Sequence, residues 1–216
     1  MSERPLPDPI SIESILPDRG SPPQVRADAL ANRALILEVA AKLFARRGVA
    51  DVSMADIAKE AGVGKGTLYR RFDNKGMLCL ALMEKDLIRF QDIMLERMRA
   101  MTDEKVSPLT QLNQFLDALI YFMADNMPYW CEINREGVRP SDHSAPYFWL
   151  HMTVSGLLRL AVSVGELEPD TLIDLSADMI LWTVSARAIR FFSDVRGQSL
   201  ADISTVAQQL VSGLAR

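Results

Sequence analysis

Apolar side chains recur at intervals of three and four residues along most of the chain, which is the period of an amphipathic α-helix. The first such run contains Leu35, Val39, Leu43 and Phe44, and Gly48 follows it as a helix stop. We therefore predict a first helix over about 28–47.

The same period, together with the residues that start and stop helices, predicts the helices that follow. Prolines and glycines lie at or near the breaks, and no stretch alternates in the manner of a half-buried strand. The sequence thus predicts an all-α fold. After a short helix that Ser53 caps and Gly62 stops, the predicted helices cover residues 64–72, 74–100, 107–126, 128–138, 145–165, 169–193 and 199–214.

The first 25 residues contain six of the eleven prolines of the chain. Proline lacks the amide hydrogen that helix ladders use, so we expect residues 1–25 to form a disordered, proline-rich tail. Two basic and four acidic side chains give this segment a negative charge. A basic arm that enters the DNA minor groove is therefore not favoured.

The stretch SMADIAKEAGVGKGTLYRRF, from Ser53 to Phe72, predicts two short helices joined by a tight turn at Gly62–Val63–Gly64. Ser53 is a suitable N-cap, and Asp56 follows three residues later in a capping-box arrangement. This length and turn are typical of a helix-turn-helix, whose second helix enters the DNA major groove. The residues expected to pack inward are Ile57, Ala58, Ala61, Leu68 and Phe72.

The side of the second helix opposite its apolar residues has chemistry suited to DNA. Gly66 permits close approach to base edges, Thr67 can touch a thymine methyl or a base, and Tyr69 suits a phosphate oxygen. Arg70 or Arg71 could make a bidentate contact to guanine, the commonest specific contact in the major groove. We predict that this face reads DNA.

Lys65 and Lys75 stand in the first turns of their predicted helices, where the helix dipole disfavours a cation by about 0.3–1 kcal/mol. A phosphate at each helix start would account for this placement, because the free amides there already favour anions. A solvated basic surface is the alternative, and it stays open for Lys75 in particular.

Charge is distributed unevenly along the chain, whose formal net charge is -4. Residues 26–78 carry ten Lys/Arg and six Asp/Glu, whereas residues 79–216 carry twelve and eighteen. A basic segment followed by an acidic one is typical of a DNA-binding head attached to a body that does not bind DNA.

The segment GVADVSMADIAKEAGVGKGTLYRRFDNKGMLCLAL resembles the DNA-binding signature of the tetracycline-repressor (TetR) family. The resemblance implies a three-helix DNA-binding head over 26–73, a helical ligand-binding and dimerisation body over 74–216, and a repressor that a small molecule releases from a palindromic operator. Arg70–Arg71 stands where aromatic residues or histidine are common in the family, so the operator sequence does not follow. The DNA contacts implied by position are Ser53, Lys65, Gly66, Thr67, Tyr69 and Arg71, with Lys75 on a phosphate.

The predicted body is rich in aromatic and methionine side chains, which line apolar ligand pockets but also fill cores. Both interpretations stay open. For a pocket, we expect a largely apolar effector oriented by His151, Asn113, Tyr121 or Glu132, although His151 could equally be a hydrogen-bonded core residue. The candidate pocket residues are Phe115, Leu119, Phe122, Met123, Trp130, Phe148, Trp149, Met152 and Trp182.

The last two predicted helices carry apolar stripes that one subunit could leave uncovered. Paired across a two-fold axis they would form a four-helix interface, with ordinary packing inside one chain as the alternative. A homodimer would set two recognition helices about 34 Å apart, one turn of duplex. The stripe residues are Leu175, Met179, Trp182, Ala186, Ile189, Ile203, Val206, Leu210 and Leu214.

The sequence gives little support for an enzyme, a metalloprotein or a membrane protein. The only histidines are His143 and His151, and no sequence motif for a nucleophile, zinc or phosphate is present, so we expect no enzyme activity, cofactor or metal. Cys79 and Cys131 lack CxxC spacing and are predicted to be buried thiols. No apolar run reaches the length of a membrane span, so we expect a cytoplasmic protein.

Alternatives within DNA binding stay open. A ligand-independent or architectural dimer would share the head but have a filled core in place of a cavity. Activation, or response to a protein partner, would keep the same DNA-binding chemistry. Neither the effector, the operator nor the regulated genes can be predicted.

Overall fold

A computed structural model describes residues 23–138 and 145–214, with side chains over 28–138 and 147–214. These residues form α-helices and one π-helical turn, and they contain no strand, which confirms the predicted all-α fold. The helices are α1 Pro23–Arg47, α2 Met54–Glu60, α3 Lys65–Tyr69, α4 Lys75–Asp103, α5 Pro108–Asp125, α6 Met127–Arg135, α7 Ala145–Ser163, α8 Ile173–Thr183, α9 Ala186–Arg190 and α10 Leu200–Ser212, with the π-helical turn at Phe191–Val195.

Helix α1 begins earlier than the sequence pattern predicts. Its first residue is Pro23, and proline suits a first helical position because the amide hydrogen it lacks would be unused there. Residues 23–25 of the predicted tail therefore belong to α1, and residues 1–22 lie outside the described residues.

The buried face of α1 is offset from the predicted stripe. The predicted Leu43 and Phe44 are buried, but Leu35 is 41% exposed and Val39 is half-buried, whereas their neighbours Ile36 and Ala40 are fully buried. The predicted stripe is therefore right at the end of α1, and in its first half the buried positions lie one residue after the predicted ones. This buried face packs on α2, which in turn packs on α3.

The single helix predicted over 169–193 is wrong. Helix α8 begins only at Ile173, and the chain breaks again at Ser185 before α9. The Ser185 hydroxyl donates to the Trp182 carbonyl and accepts from the Ala188 amide, so it caps a new helix instead of continuing the old one.

Helix α5 forms the centre of the larger core. Phe115, Leu116, Leu119 and Ile120 are all fully buried, and α5 packs against α7, α9 and α10. Complete burial stabilises each such side chain by about 1.5–3 kcal/mol. The Ser107 hydroxyl caps the N-terminus of α5 by accepting from the Thr110 amide.

The described residues divide into two compact units. The first contains the chain up to Leu82 and again from Glu132, and the second contains Met83–Cys131 and the chain from Ala145 onward. Helices α4 and α6 each contribute residues to both units. The predicted boundary at 73/74 between a DNA-binding and a ligand-binding region is a functional division and stays a prediction.

Candidate nucleic-acid interface and effector region

The start of α2 has the predicted capping box. Ser53 Oγ accepts from the Asp56 amide at 3.1 Å, and Asp56 Oδ2 accepts from the Ser53 amide at 3.0 Å and from the Ser53 hydroxyl at 2.8 Å. These hydrogen bonds from Ser53 lower the pKa of Asp56, and Arg47 at 3.6 Å adds to the effect. Ser53 thus fixes the end of α2 and is also exposed on the surface.

A tight turn at Gly62 joins α2 to α3, and apolar residues on and after α3 anchor that helix in the core. Gly62 has φ +65°, a left-handed conformation that residues with a side chain rarely adopt. After the turn, Leu68 and Phe72 are buried at 0% and 3% exposure, although α3 itself ends at Tyr69, before the predicted Phe72. Of the residues predicted to pack inward, Ile57 and Ala58 are buried as well, and Ala61 is half-buried.

The opposite side of α3 is exposed, as predicted. Lys65, Gly66, Tyr69 and Arg70 are all exposed, and Thr67 is half-buried. A Cβ atom placed on Gly66 would meet no atom within 4 Å, so this part of the helix surface is open.

Arg70 Nη2 donates to Thr67 Oγ1 at 3.3 Å, so two predicted base-reading groups are already joined to each other. Arg71, just after the helix, is exposed. Within the described part of the chain, Lys65, Arg70 and Arg71 form no ion pair, so their three positive charges are available to an anionic partner.

Lys75 has a buried partner that the sequence did not predict. Its side chain is only 6% exposed, and Nζ lies 3.4 Å from Glu132 Oε1 on α6. Nζ also donates to the Ala50 carbonyl at 3.4 Å and lies 5.9 Å from the centre of the Phe44 ring. The buried carboxylate thus accounts for a cation at the start of α4, and the phosphate contact of Lys75 stays a prediction.

A second contact joins the start of α4 to the end of α6. A Cβ atom on Gly76 would lie 2.9 Å from both Glu136 Cβ and Val138 Cγ2, so only glycine fits there. Arg135 donates to both carboxylate oxygens of Glu132 and remains 64% exposed itself.

Cys79 lies one turn after Lys75 and is fully buried. Burial raises the pKa of its thiol to about 12, with a smaller contribution from the negative charge of Glu132. The prediction of a buried thiol is confirmed for Cys79, whereas Cys131 is half-buried.

The nine predicted pocket residues do not share one site. Six of them form the core of the second unit or pack against it: Phe115, Leu119, Phe122, Met123, Trp130 and Trp149. Phe148, Met152 and Trp182 are instead exposed by 62%, 49% and 73%.

Aromatic rings fill the region where the first six residues meet. Phe90 stacks on Phe122 with ring centres 4.6 Å apart, and Trp149 packs edge-on to Phe115 at 5.7 Å. Phe90 was not among the predicted residues, although its spacing on the amphipathic α4 could have indicated it. Trp130 packs against the same core, and its Nε1 atom is buried without a hydrogen-bond partner among the described residues.

A groove of about 580 Å³ lies on another side of the second unit, between α4, α5 and α7. Met152 is the only predicted pocket residue among those that line it. Its apolar wall consists of Leu95, Met98, Met152, Leu157 and Leu160, with Gly156 in the middle.

The polar residues expected to orient an effector are dispersed. Glu132 belongs to the ion pair with Lys75, and Tyr121 is 41% exposed. His151 Nε2 lies 3.4 Å from Asp178 Oδ1, which also accepts from the Tyr147 hydroxyl at 2.7 Å. The alternative of a histidine with a polar partner therefore describes His151 better.

Some residues of the predicted dimer stripe are buried by packing within the chain itself. Ala186, Ile189 and Ile203 are buried in the core. Six of its residues remain 40–73% exposed, on α8, on α10 and just after α10: Leu175, Met179, Trp182, Val206, Leu210 and Leu214.

Comparison with known proteins identifies the first unit. Residues 36–82 match the family model of the bacterial regulatory proteins of the tetR family. Over this segment the chain is similar to the tetR family. The matched segment contains α2, α3 and the start of α4, which are the elements that carry the exposed face and Lys75.

Curated relatives agree with this assignment over part of their length. An HTH-type transcriptional regulator of Staphylococcus aureus strain USA300 is 41% identical over 102 residues, which are 47% of this chain and 53% of that protein. A protein of the same description from strain RF122 / ET3-1 is 40% identical over the same length. The chain thus spans about half the length of the curated relatives it matches.

Solved structures share the fold over most of the chain. Thermus thermophilus FadR, a TetR-family repressor in complex with lauroyl-CoA, has a TM-score of 0.64 and 20% identity, covering 85% of this chain and 96% of that one. A regulator from Pectobacterium atrosepticum has a TM-score of 0.62 and 23% identity, covering 88% and 97%. A regulator from Saccharomonospora viridis in complex with choline has a TM-score of 0.60 and 20% identity, covering 85% and 96%.

Two further features of the described residues bear on function. None of the described helices combines the length and the hydrophobicity that crossing a membrane requires. The described histidine, cysteine and acidic side chains form no group of three that could hold a metal ion.

Proposed function

We propose that this chain is a sequence-specific DNA-binding transcriptional regulator that acts as a homodimer. A small, largely apolar molecule releases it from a palindromic operator, so that it represses in the absence of that molecule. The proposal assigns it no enzymatic activity.

The exposed face of α3 is the observation that carries this proposal. Leu68 on α3 and Phe72 just after it are buried, while Lys65 on α3 and Arg70 and Arg71 after it are exposed and have no ion-pair partner among the described residues. Gly66 leaves room for a base edge beside Lys65. Positive charges position a protein on phosphates, and arginine can read guanine.

The salt dependence of DNA binding tests this face. Removing one cation that binds a phosphate should reduce the slope of log K against log salt by about one. We expect that reduction for Lys65→Ala and Arg71→Ala on a random duplex, measured by fluorescence anisotropy. Lys42→Ala is the matched control, because Lys42 is an exposed lysine of the first unit that pairs with Glu38 on α1. An unchanged slope in the first two variants would exclude α3 as the DNA-binding face.

Dimerisation is proposed through the exposed apolar residues of α8 and α10. Trp182 is 73% exposed, and Met179 and Leu210 are more than half exposed. Aromatic residues and methionine are enriched at protein interfaces. A two-fold axis through this surface would place two α3 helices on one palindrome.

The effector site is proposed in the groove between α4, α5 and α7. Five of its lining residues are leucine or methionine, which suits an apolar molecule. Its volume of about 580 Å³ lies in the range of small-molecule pockets. Structural neighbours with lauroyl-CoA and with choline support a ligand-responsive body in this fold.

Gly156 offers a selective way to block this groove. A Cβ atom there would meet no atom within 4 Å, so a larger side chain can enter the groove without a clash at that atom. We expect Gly156→Leu to abolish operator release by an effector selected on the wild-type protein, and Gly156→Ala to retain it. Release that survives in Gly156→Leu would place the effector elsewhere.

Helix α4 is the proposed connection between effector and DNA. It carries the groove residues Leu95 and Met98 and, at its start, the buried Lys75. The effector must bind the DNA-free conformation more tightly than the DNA-bound one, because equal affinity would leave the populations unchanged.

A ligand-independent DNA-binding dimer is the second candidate. The packed rings of Phe90, Phe115, Phe122 and Trp149 favour it, because they fill a region where a cavity was expected. A screen in which no apolar compound changes operator affinity or thermal stability would support this candidate over the ligand-released repressor.

A further inference from the structure

Arg33 on α1 has a partner unlike those of three other cations on that helix. Each of those three pairs with a carboxylate: Lys42 with Glu38, Arg46 with Glu60, and Arg47 with Asp56. Arg33 forms no ion pair with any residue that the structure describes. Its Cζ atom lies instead 5.4 Å from the centre of the Phe72 ring.

The Phe72 ring holds this arginine at the end of the exposed face of α3. Phe72 directly follows Arg70 and Arg71 in the chain and is 3% exposed, whereas both arginines are exposed. Arg33 itself is half-buried, so part of it reaches solvent. A guanidinium over an aromatic ring keeps N–H donors at its edge. Arg33 therefore adds a cation from a second helix to the surface that begins at Lys65.

The charges around Phe72 favour an anionic partner from outside the chain. Asp73 follows Phe72 and is exposed, yet it pairs with no cation within the described ranges. The positive charges of Arg33, Arg70 and Arg71 thus meet around one ring without a paired carboxylate. Like charges on one surface repel each other, and a phosphate backbone relieves that repulsion.

We propose that Arg33 binds a DNA phosphate and extends the DNA contact of α3 onto α1. The inference rests on the proposed DNA-binding function, and Arg33 lies outside the segment 36–82 that the family model matches. Because the guanidinium is held against a buried ring, it does not project into a groove, and the group that it meets is a phosphate of the backbone. Phosphate contacts do not depend on base sequence, so the contribution of Arg33 is the same on every duplex.

The test measures the salt dependence of binding of the full chain to two duplexes of unrelated sequence, by fluorescence anisotropy. Arg33→Met removes the charge and leaves an unbranched apolar side chain to cover Phe72. We expect the slope of log K against log salt to fall by about one on both duplexes. Arg33→Lys keeps the charge and should retain most of the slope. Arg46→Met is the matched control, because Arg46 is an exposed arginine of the same helix that pairs with Glu60, and it should leave the slope unchanged.

A purely structural role for Arg33 predicts a different result. Loss of the ring contact alone would shift the urea midpoint of Arg33→Met and leave the slope at its wild-type value. A second measurement uses the wild-type protein and so does not depend on the folding of a variant. Saturating duplex should reduce the modification of Arg33 by phenylglyoxal and leave that of Arg46 unchanged, as read by mass spectrometry of the labelled peptides.

Four results would overturn the proposal: an unchanged slope in a folded Arg33→Met protein, a loss confined to one duplex, an equal loss in Arg33→Lys, or labelling of Arg33 that DNA does not reduce. Lys65→Ala in the same series separates this inference from the proposed function. A reduced slope for Lys65→Ala with an unchanged slope for Arg33→Met would remove the role of Arg33 alone. Unchanged slopes in both would count against α3 as the DNA-binding face as well.

Discussion

Replacing Glu132 by glutamine should destabilise the protein more than replacing Lys75 by methionine. Both residues belong to the same buried ion pair, with side chains 5% and 6% exposed. The two substitutions differ in which charge remains buried and in the partners that this charge keeps. Loss of the Glu132 charge leaves a buried ammonium that has no anionic partner among the described residues, with the Ala50 carbonyl, the Phe44 ring and a neutral amide oxygen around it. Loss of Lys75 leaves a carboxylate that Arg135 still holds through both oxygens.

The magnitudes follow from that asymmetry. Breaking a buried pair so that one charge is uncompensated costs about 3–5 kcal/mol, which we expect for Glu132→Gln. A charge-assisted hydrogen bond contributes about 1.5–3 kcal/mol, and methionine recovers part of this by packing on Phe44, so we expect about 1–2 kcal/mol for Lys75→Met. The double variant should lose less than the sum, by about 0.5–3 kcal/mol.

Urea denaturation of the four proteins at one protomer concentration measures these differences, with far-UV circular dichroism as the signal. Arg135→Met is the matched control on the exposed side of the same carboxylate. Two outcomes would refute the reasoning: a larger loss for Lys75→Met than for Glu132→Gln, or strictly additive losses in the double variant.

Three further predictions concern other parts of the molecule. Arg70→Ala should change which bases are preferred at one position of each half-site more than it lowers affinity for random DNA, as measured by sequencing of bound duplexes; a uniform loss on all sequences would assign Arg70 to a phosphate. Trp182→Ser should raise the dimer dissociation constant by at least about tenfold in analytical ultracentrifugation, because it removes a large apolar side chain from the proposed interface, and an unchanged constant would place the interface elsewhere. At pH 8 a thiol reagent should modify Cys131 much faster than Cys79, since burial raises the pKa of the Cys79 thiol to about 12, and equal rates in mass spectra of the labelled peptides would contradict this burial.

The elements that local chemistry specifies were predictable from the sequence. Ser53 and Asp56 form their capping box, and Gly62 ends the helix with a positive φ. The exposed face of α3 follows from the helical period between Leu68 and Phe72. Each of these features depends on residues only a few positions apart.

Features that depend on distant residues were not predictable. The ion pair of Lys75 could not be predicted, because its partner Glu132 lies 57 positions later and no local pattern joins the two. The sequence left two interpretations open for the aromatic residues of the body, ligand pocket and core. Contacts between distant residues, such as the stacking of Phe90 on Phe122, are needed to distinguish them. The break at Ser185 shows the reverse case, in which a local serine cap overrides an apolar run.

Selection of bound sequences from a random pool of duplex DNA, with the purified full chain at a stated salt concentration, tests the central claim most directly. The proposed function predicts enrichment of one palindrome whose half-sites are about one helical turn apart, and loss of that enrichment in the Lys65→Ala, Arg71→Ala double variant. A folded wild-type protein that enriches no sequence would contradict an operator-reading regulator.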